Sequence, residues 1–172
     1  WVWGYRENDP LGGHDPYSNS KACAELVTSA FRSSFFQTDN SACDSISVAS
    51  VRAGNVIGGG DWTENQLLPD VMTAFMEKRP ALIRSLAAIR PWQFVLEALD
   101  GYISLAELLW TKGADFAEVW NFGPEDNDAK PVSWIVENLS RLWGEGACWE
   151  VDRVSHPREA KSLKLDSSKA KE

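Results

Sequence analysis

Short β-branched or aromatic stretches alternate with helix-length apolar patterns along this 172-residue chain. That alternation is the signature of an α/β fold, in which helices cover a largely parallel sheet. Ala22, Leu26, Ala30 and Phe31 recur at three- and four-residue steps behind Pro16, which predicts a helix from Pro16 to Phe36. Ile46–Val51 reads as a buried strand, and Leu67–Lys78 as a helix with Pro69 in its first turn. Ala81–Ile83 and Trp92–Leu96 are short strand-like stretches. A helix follows over Glu97–Lys112 and ends at Gly113. Glu118–Phe122 is a strand closed by Gly123-Pro124, and Pro131–Trp143 is a helix ended by Gly144. Cys148–Val151 and Leu163–Leu165 suit edge strands, and Asp166–Ser168 resembles a helix N-cap. Residues 4–16 and Asn55–Asp61 read as loops, the second with three consecutive glycines.

Composition narrows the function classes. The net charge of −8 argues against a general nucleic-acid or anionic-membrane binder, although one arginine pocket can still hold a small diphosphate. No apolar run approaches the roughly 20 residues that a membrane span requires. The chain has no basic-then-apolar leader. Cys23, Cys43 and Cys148 are too few and too scattered for a disulfide framework or a metal knuckle, which suits a reducing compartment such as the cytoplasm. Two histidines make a His-rich metal site a poor expectation.

The residues that suggest chemistry begin with Tyr17 and Lys21, four apart on one helix face. A neighbouring ammonium favours phenolate over phenol, so Tyr17 suits a proton acceptor. The same pair also suits an ordinary solvated helix face. Its setting adds weight. Tyr17-Ser18-Asn19-Ser20-Lys21 precedes a strand ending in Arg52-Ala53-Gly54-Asn55-Val56-Ile57-Gly58. Next come Leu67-Leu68-Pro69, Arg90-Pro91-Trp92-Gln93-Phe94-Val95 and Trp120-Asn121-Phe122-Gly123. These motifs, in this order, resemble the extended short-chain dehydrogenase/reductase family. The run Gly58-Gly59-Gly60-Asp61-Trp62 and the triplet Arg90-Pro91-Trp92 are closest to the branch of that family that acts on CDP-glucose.

The resemblance implies the following. The fold would be the C-terminal part of a Rossmann-type parallel sheet plus a small α/β substrate domain. Residues 1–57 and 92–119 would belong to the NAD-binding domain, and 58–91 with 120–172 to the nucleotide-sugar domain. NAD would be the cofactor and CDP-glucose the substrate. Hydride would leave the sugar 4-position, water would leave the 6-position, and the hydride would return there. Tyr17 would be the catalytic base, and Lys21 would bind the nicotinamide ribose. Asn55 and Arg90 would bind the substrate diphosphate, since a planar guanidinium fork suits paired oxygens. Asn121 would be substrate-side or, equally, a cap on a strand-end turn. Arg52 suits a structural ion pair, Arg84 a rim position or a nucleotide contact, and His156-Pro157-Arg158 a surface loop or a nucleotide loop.

The family's Gly-rich dinucleotide turn and its catalytic Ser or Thr are absent from these residues, so the expectation is a C-terminal half, inactive alone and at best loosely folded. The complete protein is expected to be a homodimer through the Tyr17–Phe36 helix. Two alternatives stay open: another nucleotide-sugar epimerase or dehydratase of the family, and a non-catalytic α/β binding fragment.

Overall fold

The structure is a computed structural model that describes residues 3–36, 46–154 and 160–172. Helix α1 spans Pro16–Phe31, and a wider π-type turn continues it over Arg32–Phe36. Strand β1 (Ser50–Ala53) and β2 (Asn55–Ile57) follow. Helix α2 covers Leu67–Met76, and β3 covers Ala81–Ile83. Strand β4 (Ile89–Phe94) runs straight into helix α3 (Val95–Lys112). Then come β5 (Val119–Phe122), β6 (Ala129–Pro131), α4 (Val132–Trp143) and β7 (Trp149–Val151). The α/β class expected from the alternation is the one observed.

Among the described residues the strands form three small sheets. β1 pairs with β5 in parallel, from Ser50 opposite Val119 to Ala53 opposite Phe122. β4 is central in the second sheet, parallel to β2 and antiparallel to β6. β3 and β7 form a parallel pair. The chain passes from the first sheet to the second at Gly54, where a side chain would run into the Pro91 carbonyl. Only glycine lets β1 continue into β2 there.

The main core lies between α2, α4 and β3. Val71, Ala74 and Phe75 of α2 and Val132 and Val136 of α4 close over Ala81, Ile83 and Ala88. The apolar run of α2 explains why its whole inner face is buried. Helix α4 has no side-chain N-cap. The N–H groups of Val132 and Ser133 instead donate to the Ala88 and Leu86 carbonyls, both at 2.9 Å.

Several expectations shift. Residues 46–49 are extended but unpaired, because β5 offers a partner only from Ser50 onward. Asn55–Ile57, expected as loop, is a strand because β4 supplies its hydrogen bonds. β4 begins at Ile89 rather than Trp92, and α3 begins at Val95 rather than Glu97. Leu163–Leu165 forms no strand, only an isolated bridge of Leu165 to Tyr5. The expected domain boundaries fall after the end of β2, inside β4 and inside β5. The His156-Pro157-Arg158 segment lies outside the described residues.

Candidate active site

Asp15 starts α1. Its carboxylate accepts from the Ser18 N–H at 2.9 Å and the Ser18 hydroxyl at 2.6 Å. The Ser18 hydroxyl first, and then its N–H, hold the Asp15 carboxyl below the ordinary carboxylate range. This cap fixes the first turn, where Tyr17 stands 71% exposed. The Lys21 Nζ sits 5.6 Å from the centroid of the Tyr17 ring. The two side chains therefore share one open face, as the four-residue spacing predicts.

Glu25, two turns further along α1, takes a bidentate pair from Arg52 of β1 at 2.7 and 2.6 Å. Arg52 also donates to the carbonyls of Arg6 and Glu7 at 3.3 and 3.4 Å. The pair anchors α1 to β1 about 12 Å along the helix from Tyr17. Arg52 is thus the structural ion-pair partner that its setting allowed.

Asn55 and Arg90 meet in one cavity of about 560 Å³, whose walls are α2, β3 and β4. That size suits a small organic ligand. Arg90 and Trp92 stand two apart on β4 and so present to the same side of the strand. The Arg90 Nη1 is fixed by the carbonyls of Ile89 and Ala160, each at 2.9 Å. The Trp92 indole donates to the Lys130 carbonyl at 2.9 Å. Arg79 and Arg84 add two more guanidinium groups to the lining, and Glu64, Asp70 and Asp152 add carboxylates. The three carboxylates balance the three guanidinium charges of the lining, so an anion's paired oxygens are met by a local fork such as that of Arg90 rather than by a net positive field. Sequence reasoning missed Trp62, Arg79 and Asp152, which come together only because the β2–α2 loop, α2 and the end of β7 converge.

Tyr17, Lys21 and Asn121 do not line this cavity. Asn121 is fully buried near the end of β5. Its amide donates to the carbonyls of Tyr5 and Asp166 at 2.9 and 3.1 Å, and its backbone N–H donates to Glu7 at 2.9 Å. Asp166 in turn pairs with Arg6 at 3.2 Å. Hydrogen bonds from the Ser168 hydroxyl and N–H hold the Asp166 carboxyl below the ordinary carboxylate range, and Arg6 adds to the effect. Among the described residues no group of His, Cys, Asp and Glu is arranged to hold a metal ion.

The sequence profile of the NAD dependent epimerase/dehydratase family matches residues 4–120. This chain belongs to that family. The match runs from the loop before α1 to β5 and takes in Tyr17, Lys21, Asn55 and Arg90. A CDP-glucose 4,6-dehydratase of Salmonella typhimurium is 58% identical over 170 residues, 99% of this chain and 47% of that protein. Solved epimerase/dehydratase structures share the fold. A dTDP-glucose 4,6-dehydratase from Bacillus anthracis, solved with NAD, superposes with a TM-score of 0.72 at 20% identity, over 98% of this chain and 49% of that one. A UDP-glucuronic acid 4-epimerase from Bacillus cereus, solved with UDP-glucuronic acid and NAD, gives 0.74 at 22% identity, over 94% and 46%. The chain spans about half the length of these relatives.

Proposed function

We propose that this chain is part of a CDP-glucose 4,6-dehydratase, an NAD-dependent lyase that converts CDP-glucose to CDP-4-keto-6-deoxyglucose. The observation that carries the reading is 58% identity across almost the whole chain to a protein of that activity. The cavity supports it, because Asn55 and the Arg90 guanidinium line one space together.

Bound NAD supplies the acceptor and donor of hydride. The chain's own residues fit the nicotinamide end of that cofactor. Neither the Tyr17 hydroxyl nor the Lys21 ammonium is engaged in a hydrogen bond among the described residues, and Tyr17 is 71% exposed. Lys21 binds the ribose hydroxyls and keeps a positive charge beside the ring. Tyr17 accepts the proton of the sugar 4-hydroxyl as general base. Arg90 clamps the diphosphate through its planar donor fork, with Asn55 beside it. Asn121 holds the end of β5 against the Tyr5 and Asp166 backbone, and so acts as a strut for the site. Residues 1–57 and 92–119 belong to the cofactor domain in this reading, and 58–91 with 120–172 to the sugar-nucleotide domain. The exposed Leu26, Val27 and Phe31 of α1 suit a helix contact in a homodimer. The protein works in the cytoplasm, where no membrane-crossing helix is required.

The test is to incubate the complete protein with NAD and, separately, CDP-, dTDP- and UDP-glucose. Mass spectrometry should show loss of one water from CDP-glucose ahead of the others. Preferential loss from dTDP-glucose overturns the base assignment. Isomerisation without loss of water points instead to a 4-epimerase.

A further inference from the structure

We infer that Trp62 rides on a glycine-hinged strap, residues 58–66, whose indole closes over the bound sugar nucleotide and sets its affinity. This rests on the nucleotide-sugar reading above. The strap links β2, which carries Asn55, to α2, whose Leu67 and Pro69 line the cavity. Both of its ends are therefore fixed at the ligand space.

The three glycines of the strap are not equivalent. A side chain on Gly58 would meet the Val95 Cγ1 at 2.7 Å, so close packing accounts for that position. Among the described residues nothing lies within 4 Å of a Cβ on Gly59 or Gly60. Gly60 has φ +83, and Asn65 at the far end has φ 64. Two consecutive glycines in open space give the chain rotational freedom that packing does not consume. Between these points Asp61 accepts from the Thr63 N–H at 3.0 Å, which ties 61–63 into one small turn. That turn moves as a unit about Gly59-Gly60 and Asn65.

Trp62 is the side chain that this unit carries. It lines the cavity, yet it is 62% exposed and has no hydrogen-bond or ring partner among the described residues. Trp92 lines the same cavity and is pinned through its N–H to Lys130. A mostly exposed indole in the lining of a cavity that also holds guanidinium groups gains apolar contact and a hydrogen-bond acceptor once a ligand arrives. A sugar nucleotide offers both, as ring C–H faces and as hydroxyl and phosphate oxygens.

Hydroxyl-radical footprinting of the complete protein with NAD, with and without CDP-glucose, tests this without any variant. Oxidation of Trp62 should fall several-fold on adding CDP-glucose. In steady-state kinetics Trp62→Ala should raise KM about tenfold while kcat changes little, with most of the loss recovered by Trp62→Phe. Equal oxidation of Trp62 in both states, in a protein that turns over CDP-glucose, overturns the strap and leaves the function standing. No turnover and no protection in any cavity peptide overturns the function, and the strap with it.

Discussion

Tyr17 and Arg90 are held in opposite ways, and their substitution should read out differently. The Tyr17 phenol is mostly exposed, with the Lys21 ammonium over its ring and the Asp15 cap fixing the helix turn beneath it. Arg90 is fixed by two carbonyls before any ligand arrives. Tyr17→Phe removes one oxygen without opening a core, so folding should be unaffected. In the complete protein we expect kcat for CDP-glucose to fall by about 10²–10⁴-fold, the usual worth of a general base, with KM within a few-fold. Unchanged turnover in a stopped assay of product mass would remove Tyr17 from the mechanism.

At the scale of elements, α3 shows packing overruling intrinsic preference. Gly101 sits mid-helix, where alanine is favoured by about 1 kcal/mol. A Cβ at that position would lie 2.5 Å from the Phe122 ring of β5. The neighbouring Tyr102 of α3 packs edge-on against the same ring at 5.7 Å, so the two elements are in close contact here. Gly101→Ala should therefore destabilise the complete protein by about 1–3 kcal/mol, the cost of overpacking. Urea unfolding monitors this, and a stabilised variant would show that α3 is free to lift from the sheet. The contact matters to the site because β5 also carries Asn121.

For the whole molecule, large apolar side chains stand open on two helices. Leu26, Val27 and Phe31 on α1 and Leu96, Ile103 and Trp110 on α3 are all exposed, Trp110 at 90%. β1 has a single sheet neighbour, β5, so its other edge is unpaired by any described strand. Faces of this kind are covered in a stable protein. We expect the 172-residue chain expressed alone to associate in sedimentation velocity, to lack a sharp unfolding transition, and to be inactive on CDP-glucose. A cooperative, monomeric and active isolated chain would contradict this.

The local signals that physics enforces within a few residues were legible in the sequence. Helix-length apolar patterns placed the four described α-helices, Pro16 marked the start of α1, and Gly113 and Gly144 marked the ends of α3 and α4. The Tyr17/Lys21 pair was also readable, because a four-residue helical spacing fixes a shared face by itself. Strands β2 and β6 were not readable. Each is three residues long and has no pattern of its own, so each exists only because β4 runs alongside. The cavity was beyond reach for the same reason. Asn55, Arg90, Arg84 and Trp62 come from separate stretches, and only the packing of α2 on β3 and α4 sets them around one space. Asn121 was readable as a candidate with two roles, but its backbone partners were not, because they lie more than 40 residues away in the chain. The carbonyls of Tyr5 and Asp166 occupy its amide. Short-range geometry was in the sequence, whereas which distant backbone or side chain would satisfy each polar group was settled only once the chain had folded around it.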